Sequence, residues 1–148
     1  MIPYCIVSDL DGTIALVEHR MHYISSAPKD YDAFHAACVN DEPNPPVIRL
    51  LQDLHSRKWK VIILTGRSDA VREQTKEWFS KHKVPYDELI MKPDRDHSPT
   101  EKWKRKMLHS GTIPHPAEIS FVLEDDPEVV AMWRSEGLTC FQVNEGWL

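Results

Sequence analysis

The chain has 148 residues, of which 41% are hydrophobic and 28% charged, with a formal net charge of −5 and a mean hydropathy of −0.46. That length predicts one domain, spanning residues 1–148, around one core, with a composition that suits a soluble globular protein. No apolar run is long enough to cross a bilayer, so no membrane partner is expected. The acidic balance argues against a long nucleic-acid groove, which needs a basic face, but not against the gripping of one phosphorylated end.

Strand and helix signals alternate along the chain. Met1-Ile2-Pro3 leads straight into a strand, Tyr4–Ser8, which predicts no signal peptide. Further strands are predicted at Lys60–Leu64, Glu88–Met91, Ile119–Leu123 and Thr139–Val143, short and apolar on both faces, as in a parallel sheet covered on both sides. Between them, Pro45–Lys58 places Val47, Leu50, Leu51 and Leu54 at helical spacing, and Ser68–Lys83 does so with Val71, Thr75, Trp78 and Phe79. Thr100–His109 carries Trp103 and Met107. Pro127–Glu136 has Asp126 as N-cap, Pro127 at its first position and Gly137 just beyond its end. The expected fold is α/β: a Rossmann-like open parallel sheet of about five strands flanked by helices, with right-handed crossovers. Residues 14–44 interrupt the alternation. They predict a small flap inserted after the first strand, with one helix at Asp30–Cys38.

The residues that carry chemistry stand at strand ends, where ligands of such sheets bind. In Cys5-Ile6-Val7-Ser8-Asp9-Leu10-Asp11-Gly12-Thr13, an apolar strand runs into two carboxylates spaced i, i+2 and a glycine turn. Strand alternation would put Asp9 and Asp11 on one side, where their repulsion is relieved by a divalent cation or a proton. Val61-Ile62-Ile63-Leu64 runs into Thr65-Gly66-Arg67, whose hydroxyl and amides would hold a phosphate at the start of the next helix, although an ordinary turn reads the same way. Phe121-Val122-Leu123 runs into Glu124-Asp125-Asp126, oxygen ligands for a hard cation such as Mg²⁺. Asp125 is the first choice there, Asp126 the second because it also caps a helix, and Glu124 the last. A cation is needed to neutralise a phosphate among aspartates. With Trp103 and Met107 facing the core, Lys102 on the first helical turn is the first choice, ahead of Lys104 and Lys106, which read as a solvated face.

The chemistry follows from these groups. Asp9 is the expected nucleophile, forming an aspartyl-phosphate. Asp11 would protonate the leaving oxygen and then activate water. Mg²⁺ would lie among Asp9, the main-chain carbonyl of Asp11, and Asp125 or Asp126. Thr65, Lys102 and backbone amides near Gly12 and Gly66 would hold the phosphoryl oxygens. His19 and His22 lack further ligands at metal spacing and read as flap residues. Trp147 reads as an apolar tail docked on its own domain. The three cysteines, Cys5, Cys38 and Cys140, are far apart and odd in number. They read as reduced thiols, which predicts a cytoplasmic protein.

Asp9-x-Asp11-Gly12-Thr13, Thr65-Gly66-Arg67, Lys102 and Asp125-Asp126, in that order, resemble the haloacid dehalogenase-like phosphatase superfamily over almost the whole chain. Within it the chain is similar to the 3′-phosphatase half of phage-type polynucleotide kinase-phosphatases. The similarity lies in Val129-Val130-Ala131-Met132-Trp133-Arg134, in Gly137, Cys140 and Gln142-Val143, and in Tyr31-Asp32, Cys38 and Asn44-Pro45. The resemblance implies phosphate contacts from Arg20 and Arg67 and removal of a 3′-phosphate from DNA or RNA ends, in the host cytoplasm if the protein is viral. No G-x-x-x-x-G-K-[ST] occurs in the sequence, and Gly111–Glu118 looks longer than in that family. Two other functions stay open: a phosphatase of free nucleotides or another small phosphomonoester, and a regulatory module with a phosphoacceptor aspartate.

Overall fold

The computed structural model describes residues 4–146, so Met1-Ile2-Pro3 and the Trp147 tail lie outside it. Its main sheet is five parallel strands in the order β5-β4-β1-β6-β7. These are β1 (Cys5–Ser8), β4 (Lys60–Ser68), β5 (Glu88–Lys92), β6 (Phe121–Glu124) and β7 (Cys140–Gln142). Strand alternation sorts the core into two layers. Ile6, Val61 and Ile63 face α2 (Pro45–Ser56) and α3 (Arg72–His82), whose Val47, Leu51, Trp78 and Phe79 cover them. Val7, Ile62, Leu64 and Val122 face α4 (Thr100–His109) and α5 (Pro127–Ser135), whose Trp103, Leu108, Val130 and Trp133 cover them. The expected α/β architecture is the observed one.

The chain runs outward from β1 through β4 to β5, then returns to pair β6 with the other side of β1 and continues to β7. The order therefore reverses between β1 and β6, and their carboxyl ends open a crevice where this topology binds ligands.

The flap is closed at its neck by a short antiparallel ribbon, β2 (Ala15–Leu16) against β3 (Glu42–Pro43). It holds a 3₁₀ turn at Glu18–Tyr23 and the helix α1 (Tyr31–Ala36), which tightens into 3₁₀ geometry at Ala37–Asn40. Asp30 caps α1 by accepting from the Ala33 amide at 3.0 Å. One expectation is corrected here. β4 does not stop at Leu64 but continues to Ser68 with a register irregularity after Thr65, and a 3₁₀ turn at Asp69–Val71 precedes α3. Thr65-Gly66-Arg67 thus lies on a bulged strand end and not at a helix N-terminus, and the bulge re-aims its side chains.

Gly66 is where α4 meets the sheet. A Cβ there would stand 3.0 Å from both Oγ1 and Cγ2 of Thr100, the first residue of α4. Gly66→Ala is expected to lower stability by about 1 kcal/mol, the mild end of overpacking, and the melting temperature by about 3 °C. An unchanged melting curve would show that the start of α4 yields freely.

Candidate active site

Asp9 directly follows β1, and its amide donates to the Leu123 carbonyl at 2.9 Å, tying the ends of β1 and β6 together. Its side chain is the centre of a buried acidic group. Carboxylate oxygens of Asp9, Glu124 and Asp125 all lie within 4.8 Å of one another. Lys104 Nζ donates to Asp9 Oδ1 at 2.9 Å and to Glu124 Oε1 at 2.8 Å. The Thr13 hydroxyl stands 3.2 Å from Asp125 Oδ1 and 3.4 Å from Asp9 Oδ2. Glu124 Oε2 accepts from the Asp125 amide at 3.1 Å.

The site lysine is Lys104, and the expectation of Lys102 is corrected. The buried stripe of α4 is Trp103, Lys104 and Leu108, and Lys102 is exposed. Lys104 lies one turn before Leu108 and one turn after Thr100, the residue that abuts Gly66, so the 100/104/108 row faces the strand ends. Lys102 lies on the other side of Trp103. The acidic pair is likewise Glu124 and Asp125. Strand alternation puts Glu124 with Val122 on the α4 side, where Lys104 meets it. The Asp126 carboxylate instead accepts from the Glu128 amide at 2.9 Å as the N-cap of α5 and takes no part in the group.

Burial and the charge of Asp9 push the proton affinities of Glu124 and Asp125 well above the ordinary carboxylate range, with Lys104 acting against them. Burial alone would weaken the Lys104 ammonium, but Asp9 and Glu124 outweigh it and hold the lysine above its ordinary value. Three carboxylates and one ammonium leave the group short of positive charge.

Asp11 faces a different partner set, contrary to the expectation that it shares a side with Asp9. β1 has ended by Ser8, so strand alternation no longer governs the pair. Asp11 Oδ1 accepts from Arg20 Nη2 at 2.9 Å and from Arg67 Nη2 and Nε at 2.5 and 3.2 Å. Behind them sits Asp41, a buried flap residue that accepts from Arg20 Nε and Nη2, both at 2.8 Å, and from Arg67 Nη2 at 3.1 Å; His19 Nε2 lies 2.6 Å away. Arg20 Nη1 donates to the Phe34 carbonyl and Arg67 Nη1 to the Thr75 hydroxyl. Burial alone would raise the Asp11 proton affinity, but Arg67 and Arg20 outweigh it and hold the carboxyl well below the usual range.

The two arginines implied as phosphate contacts are 0 and 1% exposed, and all three nitrogens of each guanidinium are engaged within the protein. They stand behind Asp11 and position it. Gly12 also serves the turn. With φ at +82°, its amide donates to the Ala15 carbonyl at 2.7 Å and its carbonyl accepts from Asn144 Nδ2 at 2.8 Å. Thr65 is buried; its Oγ1 accepts from the Arg67 amide at 3.0 Å. Gly66 makes room for Thr100.

The donor set fits a hard divalent cation. It is all oxygen, crowded and short of positive charge. Asp9, Glu124 and Asp125 each offer an oxygen that could hold the ion, with Lys104 bonded to the first two and the Thr13 hydroxyl beside Asp9 and Asp125. The carboxylate of Asp11 is turned to the two arginines, which leaves its main-chain carbonyl, the contact expected from the sequence, as the group it could offer to the ion.

A sequence model of the polynucleotide kinase PNKP phosphatase domain matches residues 3–147. The chain is 29% identical, over 149 aligned positions, to a protein of Autographa californica nuclear polyhedrosis virus named as a bifunctional polynucleotide kinase/RNA ligase. The match covers 99% of this chain and 20% of that one. Among solved structures it superposes on a chain of the Pnkp1/Rnl/Hen1 RNA repair complex with a TM-score of 0.83 and 30% identity, over 99% of this chain and 44% of that one. CbbY from Rhodobacter sphaeroides shares the fold with a TM-score of 0.67 at 16% identity, over 99% of this chain and 88% of that one. The chain spans less than half the length of the first two relatives.

Two outcomes test this geometry. Lys104→Met is expected to lower turnover of a small aryl phosphate by about 10²-fold or more, the scale of a lost electrostatic contact, and at least about tenfold beyond Lys102→Met; equal losses would place the cation elsewhere. The second concerns stability. Glu124 and Asp125 hold protons more tightly in the native than in the unfolded state. From the ordinary carboxylate range near pH ~4 upward, the native state therefore binds more protons, and stability falls as pH rises. A divalent cation relieves this, so the melting-temperature gain from Mg²⁺ over chelator is expected to grow from about pH 5 to about pH 8. A gain of zero at every pH would show that these carboxylates hold no metal.

Proposed function

Because the chain belongs to the family of polynucleotide kinase PNKP phosphatase domains, and with it to the haloacid dehalogenase-like phosphatases, we propose that it removes a 3′-phosphate from nucleic-acid ends through an aspartyl-phosphate on Asp9. The observation that carries this reading is the convergence of Lys104, Thr13 and Asp125 on Asp9 at the crevice between β1 and β6. An Asp9 oxygen attacks phosphorus, the bond from phosphorus to the leaving oxygen breaks, and the phosphoryl group rests on Asp9 until water displaces it. Lys104 holds Asp9 in place and, with the Thr65 hydroxyl, offers positive charge and a donor to the phosphoryl oxygens. Held by Asp9 and Asp125, Mg²⁺ would neutralise charge on the transferring group.

Asp11 is the acid and base. In the resting protein its two arginines keep it ionised, ready to take the proton of the hydrolytic water. A phosphate dianion brought alongside competes for the same guanidinium charge and raises the proton affinity of Asp11. The group then donates to the leaving oxygen.

Two features support a polymer end as substrate. The flap is a small excursion and not a separate cap domain, so the crevice stays open to a strand. The matched relatives carry names tied to polynucleotide phosphorylation and RNA repair. An open cleft of about 300 Å³ lined by Gly12, Glu18, Asn144, Glu145 and Gly146 adjoins the catalytic turn, and a free nucleotide is kept as the second reading because that cleft has room beside the site for a small substrate.

The test is phosphate release, with Mg²⁺, from 3′- and 5′-phosphorylated DNA and RNA oligonucleotides and from nucleoside monophosphates. The expected result is a kcat/KM highest for 3′-phosphorylated ends, and a loss of more than ~10³-fold in Asp9→Asn. Preference for the monomers would overturn the end-processing reading. Near-normal turnover by Asp9→Asn would overturn the covalent mechanism.

A further inference from the structure

With Arg20, Arg67 and Lys104 occupied inside the protein, the cations available to the rest of a nucleic-acid strand lie elsewhere. Of the six Lys and Arg residues within residues 92–106, Lys92 and Lys104 are buried and Arg105 pairs with Glu136, which leaves Arg95, Lys102 and Lys106 exposed to solvent. This segment leaves the carboxyl end of β5 and enters α4, so it borders the same edge of the sheet as the catalytic crevice.

The turn between β5 and α4 is braced from several sides. Ser68 Oγ donates to Asp94 Oδ1 at 2.9 Å, and the Asp94 amide donates to Asp69 Oδ1 at 2.9 Å. Asp96 accepts from the amide and hydroxyl of Ser98 at 3.0 and 2.6 Å, and the Asp96 amide donates to the Pro93 carbonyl at 3.1 Å. The buried Lys92 ammonium donates to the Ser98 carbonyl. At the tip of this braced turn Arg95 has φ at +69°, a left-handed conformation uncommon for a residue with a side chain, and a side chain 87% exposed. Its only ion pair among the described residues is a loose one, Nε to Asp94 Oδ2 at 3.9 Å. Lys102 follows on the first turn of α4, exposed, between Thr100, which touches Gly66, and Lys104, which reaches Asp9.

Resting on the end-processing reading above, we infer that Arg95 and Lys102 form a basic lip that binds the phosphodiesters flanking the terminal phosphate of a nucleic-acid strand. A rigid turn that holds an arginine outward in an unfavourable backbone conformation is a positioned contact. Lys102, excluded from the catalytic group by the phase of α4, stands exposed on the first turn of that helix, where the chain enters it from the turn that follows β5. Such contacts carry no base specificity; they add affinity through release of counterions and so weaken with salt.

The variant that separates this role from a structural one is Arg95→Gly. Glycine accepts φ near +69° without penalty, so the substitution removes the guanidinium while relieving the backbone. Its melting temperature is expected to equal or exceed that of the parent. Its KM for a 3′-phosphorylated single-stranded oligonucleotide is expected to rise severalfold. The slope of log kcat/KM against log salt should flatten by about 0.7, one single-strand phosphate contact. Lys102→Gln should flatten it similarly. For both, the ratio of kcat/KM on the oligonucleotide to that on an aryl phosphate should fall, and Arg105→Gln, whose guanidinium pairs with Glu136, serves as the control. An unaltered slope and ratio in a parent that prefers oligonucleotides would overturn the lip alone. A parent that prefers nucleoside monophosphates would overturn the end-processing reading and the lip with it.

Discussion

A single buried ammonium decides whether the catalytic crevice can exist. Asp9, Glu124 and Asp125 gather at the junction of two parallel strands, with oxygens within 4.8 Å and exposures of 7, 1 and 1%. Carboxylates at that spacing and burial cannot all stay ionised without nearby positive charge. Lys104 supplies it from α4, bonded to two of the three. The position of α4 is therefore an electrostatic requirement as much as a packing one. Trp103 and Leu108 seat the helix on the α4/α5 face of the sheet, Gly66 lets its first residue close on β4, and the same row of positions delivers the lysine. Removing one partner from so buried a pair leaves the others uncompensated, an effect of about 3–5 kcal/mol.

The flap is joined to the body by the opposite arrangement of charge. Here two cations, Arg20 from the flap and Arg67 from β4, converge on two carboxylates, Asp11 from the catalytic turn and Asp41 from the returning limb of the flap. The Asp41 carbonyl also accepts from Trp78 Nε1 at 2.9 Å, so the same residue ties the flap to α3. The two-residue ribbon at the flap neck is too short to fix an excursion of this length by backbone pairing alone. The buried ion network, together with Cys38 packed into the core beside Trp78 and Phe79, fixes it, and the network sets the orientation of Asp11 at the same time.

Much of this was legible in the sequence. The five strands and four flanking helices follow from runs of β-branched residues and from 3.6-residue spacing, and their boundaries shift by only a few residues. Asp9, Asp11, Thr65, Arg20, Arg67 and Asp125 are all brought to one end of the sheet. What the pattern could not settle was direction. Lys102 and Lys104 differ by two residues, and the packing of Trp103 and Leu108 together with the close approach of Thr100 to Gly66 fixes which row of α4 faces the strand ends. That row was readable in principle, because Thr100, Lys104 and Leu108 stand four apart. Glu124 and Asp126 exchanged roles because one more residue of β6 was extended than the apolar run implied. Asp41 carried no signal: in Asn40-Asp41-Glu42-Pro43 it reads as a solvated loop acid, and its burial depends on partners 21 and 26 residues away.

Two carboxylates a single residue apart in sequence thus end in opposed environments. Asp9 lies among other acids whose proton affinities are raised by burial and by its own charge, a setting that attracts a cation. Asp11 lies between guanidinium groups that keep it ionised. The mechanism proposed for the pair needs that separation, because a nucleophile must remain unprotonated beside the phosphoryl group while an acid-base group must exchange a proton during the reaction. The turn at Gly12 makes it possible. Once β1 ends at Ser8, the backbone is free to send successive acidic side chains to different partners, and a regular strand carried three residues further, to Asp11, would have faced both the same way. The end of the strand, more than the identity of the two aspartates, divides the labour between them.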